Sequence, residues 1–129
     1  MIYRFLKAYY LSIILALFIL LLSLIKIDTS ESPGILNFPH ADKVVHFIFY
    51  LILGFVILFD HGRINPVNRK YFLRIILFCV IYGGVIELLQ LGLPFRSADI
   101  FDLLADAAGS ILSIPFYKII GKRFFKRSS

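Results

Sequence analysis

Four long apolar stretches, separated by short polar connections, organise the chain. The first runs from Ala8 to Ile25 and is interrupted only by Tyr9, Tyr10, Ser12 and Ser23. The second runs from Val44 to Phe59 with His46 inside it, and the third from Ile75 to Leu91 with Glu87 near its end. The fourth runs from Leu103 to Ile120 and contains Asp106. None alternates apolar with polar positions, so a membrane barrel is excluded on pattern. A hydrocarbon core of about 30 Å asks for about 20 helical residues. Runs two and three reach that length when Ala41 to Lys43 and Tyr71 to Arg74 continue the helix, Arg74 snorkelling its guanidinium to the interface. The pattern predicts an all-α integral membrane bundle of four transmembrane helices, over 8–25, 42–60, 72–91 and 101–120. Together they form a single transmembrane domain over 1–129.

Composition agrees. Apolar residues make up 60% of 129 positions, with 14 Phe and no Trp, more large apolar side chains than a soluble domain of this size could bury. The net charge of +6 invites a nucleic-acid reading, but the charges sit in short clusters between apolar runs and form no stripe, so no nucleic acid is expected. Cys79 stands alone in an apolar run, which removes disulfides and cysteine metal clusters. Residues 1–25 resemble a signal peptide, yet the apolar stretch is long and no small-residue cleavage pattern follows it, so it reads as an uncleaved span.

Charge sets the topology. The first segment (Arg4, Lys7), the second loop (Arg63, Arg69, Lys70, Arg74) and the tail (Lys118, Lys122, Arg123, Lys126, Arg127) hold eleven of the 14 basic residues and one of the 8 acidic ones, Asp60. The first and third loops, with the span ends beside them, hold Lys26, Lys43, Arg96 and the other seven acids. Basic loops stay on the cytoplasmic side, so both termini are expected inside, and the basic tail suits anionic headgroups.

That topology brings two distant segments to the outer face. Asp42, His46 and Tyr50 stack on one helical face, with Lys43 three before His46 and Asp42 at an expected N-cap. Glu87 and Gln90 close span three, which Leu91-Gly92-Leu93-Pro94 ends. Arg96 and Ser97 fall in the turn, and Asp99, Asp102 and Asp106 follow on one face of span four, with Asp99 and Asp102 near its N-terminus. Gly109 and neighbouring alanines allow close helix approach, and Gly83-Gly84 reads as a packing or bending site. An unpaired carboxylate at the depth of Asp106 is costly, so it is neutral or faces a partner. His40 and His61 read as loop residues without a role.

Three roles fit the cluster: a structural network in which Arg96 or Lys43 pairs the acids, a pocket for an anionic headgroup, or a catalytic or divalent-cation site of His46, Glu87, Asp99, Asp102 and Asp106. No cofactor is fixed by the sequence.

Asp42-Lys43, His46-Phe47, Tyr50 and Leu53-Gly54 resemble the first signature of the VanZ-like family of small bacterial membrane proteins. Glu87-Leu88-Leu89-Gln90, Pro94, Arg96, Asp99, Asp102, Asp106 and Gly109 resemble its second, Asp106 replacing the asparagine more usual there. The likeness covers roughly residues 39–113. It implies a multi-pass protein of the bacterial inner membrane with a role in the cell envelope, touching membrane lipids, an envelope-precursor lipid or a glycopeptide-related ligand, and a link to teicoplanin resistance. The leading expectation is engagement of an anionic or isoprenoid-type lipid at the outer cluster. The alternatives are a small hydrolase or transferase with a His and carboxylate site, and a transporter, which at this length would need to oligomerise.

Overall fold

The computed structural model describes residues 1–25, 39–94, 97–121 and 123–124. All regular elements among them are helical: α1 (Ile2–Ala8), α2 (Tyr10–Leu24), α3 (Ala41–Gly62), α4 (Arg69–Leu91) and α5 (Ile100–Phe116), which runs on through a π-helical turn at Tyr117–Gly121. Pro115 lies inside α5, where it removes one backbone donor shortly before the π turn.

Among the described residues, three helices are long and apolar enough to cross a membrane: α3 with 22 residues, α4 with 23, and α5 with its π turn, 22 together. At about 1.5 Å per residue each exceeds 30 Å. The first apolar run is different. It breaks at Tyr9, and α1 is turned 76° from α2, so a fourth span exists only if this bent pair counts as one. The 15 residues of α2 reach only about 22 Å.

The packing is inverted relative to a soluble protein. Leu17, Phe18 and Leu21 on α2, and Leu73, Leu77, Ile81 and Leu88 on α4, point outward, whereas Asp60, Asp106, Ser110 and Ser113 are wholly buried. Lipid is the solvent that accepts the first set, and the second set must find partners inside.

The closest pair is α3 with α5, and glycine sets the distance. A Cβ at Gly109 would collide with the Phe47 carbonyl oxygen and lie 2.9 Å from the Leu51 nitrogen, backbone atoms that cannot rotate away. Gly54, one turn further along α3, accommodates Ser113 in the same way. Helix α2 is tied to α4 through its own carbonyls: Tyr82 donates to Ala16 O at 2.5 Å, and Gln90 Nε2 donates to Ser23 O at 2.9 Å.

The two ends of the bundle differ in charge. The end of α3, the start of α4 and the π turn bring Arg63, Arg69, Arg74 and Lys118 together, with Lys118 Nζ 5.3 Å from the Phe72 ring. The sole acid there among the described residues, Asp60, is fully buried and accepts from Ser12 N–H at 3.0 Å and Ser12 Oγ at 2.7 Å, with Arg63 at 3.7 Å. His61 is no loop residue: it lies in the last turn of α3, bonds Tyr9 Oη through Nδ1 at 2.7 Å and stacks on Tyr71 with ring centres 3.5 Å apart.

Candidate functional site

The opposite end is acidic. It is assembled from the first turns of α3, the last turns of α4 and the N-terminus of α5. The entry to α3 differs from the expected cap: His40 is the N-cap, in the left-handed region at φ 66°, and Asp42 lies in the first turn without capping it. Asp99 does cap α5, accepting from Phe101 N–H at 2.9 Å. Its own N–H donates to Glu87 Oε2 at 3.0 Å, which fixes the turn entering α5 against α4.

Lys43 lies among carboxylates. Its Nζ donates to Asp99 at 2.7 Å, and to Asp42 and Asp102 at 3.3 Å each. The ammonium beside Asp99, together with the Phe101 N–H, holds the Asp99 carboxyl below its ordinary value.

One turn deeper, His46 Nδ1 lies 2.9 Å from Asp106 Oδ1. With Asp106 ionised, its carboxylate only accepts, so Nδ1–H donates to it and the lone pair of Nε2 is left on the side away from Asp106. On that side Asp102 Oδ2 is 3.9 Å from Nε2. His46, Glu87 and Asp102 each offer a ligand atom within 4.8 Å of the other two. Asp106 itself fits because Gly83 has no side chain: a Cβ there would collide with Asp106 Oδ2 and approach the Tyr50 hydroxyl at 3.3 Å. Tyr50 Oη, Glu87 Oε1 and Asp106 Oδ2 are buried and have no hydrogen-bond partner among the described residues.

Of the ten residues singled out from sequence, the structure brings Asp42, Lys43, Asp99 and Asp102 into one ion-paired group and His46, Glu87, Asp102 and Asp106 into a deeper one that Tyr50 adjoins. Gln90 is not in either: its amide bonds α2 at Ser23 O. Arg96 lies outside the described residues. Asp60, Ser12, Tyr9 and His61 form a polar group at the basic end that sequence reasoning missed, because its members lie about fifty positions apart and each alone looks like an interfacial residue.

Five carboxylates therefore gather around one lysine and one histidine among the described residues. Three of them, Asp42, Asp99 and Asp102, surround a cation already, the Lys43 ammonium. The group of His46, Glu87 and Asp102 shares Asp102 with Lys43, through Oδ1 at 3.3 Å, and holds no cation of its own among the described residues. Two atoms each about 2.1 Å from one ion lie roughly 3–4 Å apart, which the 3.9 Å between Nε2 and Asp102 Oδ2 suits. A ligand histidine whose other nitrogen is held by a buried carboxylate is the usual outer-shell arrangement of such sites. The same dyad could instead orient His46 Nε2 as a general base.

No solved structure matches the chain. It is similar to an uncharacterised protein of Schizosaccharomyces pombe, 35% identical over 113 residues. The match takes in 85% of this chain and 65% of that protein, so the chain spans less than two thirds of its relative's length. The model of the VanZ/LLP1 family matches residues 4–121, which include both helical signatures and the acidic cluster they build. The chain belongs to the VanZ/LLP1 family of membrane proteins.

Proposed function

We propose that the protein holds a divalent cation between His46, Glu87 and Asp102 and through it engages the phosphate of an anionic or isoprenoid-type lipid at the outer leaflet. The observation that carries this reading is the position of His46, bonded to Asp106 through Nδ1, with Asp102 Oδ2 3.9 Å from Nε2 and ligand atoms of His46, Glu87 and Asp102 within 4.8 Å of one another. Charge balance supports it. An anionic headgroup gains little from Lys43, whose ammonium already has three carboxylate partners, and a surplus of carboxylates repels phosphate unless a cation intervenes. One imidazole and two carboxylates suit manganese or zinc.

The similarity to a fission-yeast protein supports a lipid ligand. Yeasts build no peptidoglycan, whereas phosphate-headed isoprenoids and phospholipids are common to fungi and bacteria, so lipid is the better reading than a glycopeptide or its resistance. The distribution of basic loops supports an orientation with both ends and the basic face toward the cytoplasm. In a bacterial host that is the inner membrane.

Native mass spectrometry tests the reading, with wild type, His46→Ala and Arg96→Ala extracted with manganese or with EDTA. Wild type should carry one divalent ion and a phosphate-bearing lipid, both lost with EDTA and both lost in His46→Ala. Lipid retained by wild type after EDTA but lost in Arg96→Ala would mean direct recognition by the guanidinium and would overturn the cation bridge. The His46–Asp106 dyad favours one second reading, a hydrolase or transferase using Nε2 as base. It predicts turnover of a phosphate-ester lipid that vanishes in His46→Ala, and an inert wild type across a lipid panel would dismiss it.

A further inference from the structure

At the basic end, a cavity of about 370 Å³ opens between α1, α2, α3 and α4. Its walls are apolar along most of their extent, formed by Phe5, Ile13, Ala16, Ile75 and Phe78, and among the described residues one charged side chain, Arg74, lines it. The turn at Tyr9 creates this space. With α1 turned 76° from α2, Phe5 forms part of the wall, its ring centre 4.8 Å from that of Tyr9 and tilted by 32°.

Three observations identify an occupant. An apolar cavity of about 150 Å³ holds one benzene ring, so this volume takes a hydrocarbon of about fifteen carbons. A polar guest would find almost no partners on these walls. The one charged group in the lining among the described residues is a cation, Arg74, and the same end of the bundle carries Arg69 and Lys70 at the start of α4. The acid nearby, Asp60, is buried, bonded to Ser12 and 3.7 Å from Arg63, and Arg74 has no carboxylate partner among the described residues.

We infer that this cavity is a second lipid site, holding one acyl chain of an anionic phospholipid whose phosphate pairs with Arg74. It is independent of the acidic cluster at the other end and needs no metal. A basic side chain at a membrane surface contributes about fivefold to binding of an anionic lipid. The chain-binding walls contribute without regard to headgroup.

Delipidated protein, incubated with mixed micelles of phosphatidylglycerol or phosphatidylcholine and read by native mass spectrometry in EDTA, tests the site. Wild type should retain one phosphatidylglycerol per chain in preference to phosphatidylcholine. Arg74→Gln should lower phosphatidylglycerol retention about fivefold and leave phosphatidylcholine unchanged. Ala16→Leu, which fills the cavity and keeps the charge, should lower both. If Arg74→Gln fails to fold, judged by helical circular dichroism, the headgroup preference of wild type and the Ala16→Leu result still decide. Equal retention of the two lipids by wild type, or wild-type retention in Ala16→Leu, overturns the proposal. So does a lipid-free dimer, which would mean that a second copy covers the cavity.

Discussion

Replacing Gly109 by alanine adds one methyl group at the point where α5 touches the backbone of α3. The methyl would stand 2.9 Å from the Leu51 nitrogen and closer still to the Phe47 carbonyl oxygen. Comfortable contact begins near 3.5 Å, so the helices must part by about 0.6 Å at Leu51 and by more at Phe47. Overpacking of this kind costs about 1–3 kcal/mol, and with rigid backbone as the obstacle the upper part of that range applies. Alanine returns about 1 kcal/mol through its better helix propensity, leaving a net loss of about 1–2 kcal/mol. The larger consequence is local. His46 is the neighbour of Phe47 on α3, and Asp106 lies one turn before Gly109 on α5, so the same parting stretches the 2.9 Å His46–Asp106 bond. An opening of about 0.6 Å brings it to about 3.5 Å, the limit of a useful hydrogen bond. Gly109→Ala should therefore melt at a lower temperature in detergent and bind manganese more weakly in an equilibrium titration, although it removes no ligand. If the variant matched wild type in both measurements, the reasoning that helix approach at Gly109 positions His46 would be refuted.

Three further predictions concern single contacts. Asp106→Ala deprives His46 Nδ1 of its acceptor and should weaken divalent-cation binding about 10- to 100-fold, whereas Asp106→Asn, whose carbonyl still accepts, should cost less; equal losses in a titration would count against the tautomer argument. Asp99 has a folded-state pKa depressed by Lys43 and the Phe101 N–H, so its stabilisation is complete above the ordinary carboxylate value and is lost as pH falls through the lower folded one. The melting temperature of wild type should accordingly fall more steeply than that of Asp99→Asn between about pH 5 and about pH 3, and parallel curves would rule this contribution out. Ser12→Ala removes the 2.7 Å hydroxyl donor from buried Asp60 and should destabilise by about 1–3 kcal/mol in chemical unfolding, while Ser12→Thr keeps the donor and most of the stability.

What could be read from the chain follows from the range of the physics involved. Helical periodicity is local, and it sufficed to align Asp42 with His46 and Tyr50, and Asp99 with Asp102 and Asp106. Loop charge is additive, and it sufficed to bring those two segments to one end. The pairing of Lys43 with Asp99 joins positions 56 apart and depends on how α3 and α5 are rotated, which neither signal carries. Gln90 looked like a member of the cluster because it follows Glu87 by three. The three-residue offset, about 300° of rotation, turns its amide instead toward Ser23 on α2. The break at Tyr9 carries no glycine or proline to announce it, so the first apolar run looked continuous. Asp60 and His61 follow an apolar run directly and precede a basic loop, the place where solvated interfacial residues normally stand. Only the three-dimensional arrangement supplies Ser12 and Tyr9 as their partners.

The two ends of the bundle show how charge that is not cancelled internally becomes available for ligands. Each end has a dominant sign and a minority charge enclosed within it. Lys43 is the enclosed cation of the acidic end, and its three carboxylate partners leave Glu87 and Asp106 without an ammonium among the described residues. Asp60 is the enclosed anion of the basic end: it accepts from Ser12 and lies 3.7 Å from Arg63, and Arg74 is left without an ion pair among the described residues. Had Asp60 pointed toward Arg74, the basic face would have lost both its field and its claim on a phosphate. Had Lys43 been long enough to reach Glu87, the deeper acids would have had no need of another cation. Both minority charges are carried by α3, one near each end, so a single helix separates a face that attracts cations from a face that attracts anionic headgroups. The proposed ligands have opposite signs for that reason, and exchanging the two, with a phosphate bound at the acidic end in EDTA or a divalent ion bound beside Arg74, is the combination this arrangement forbids.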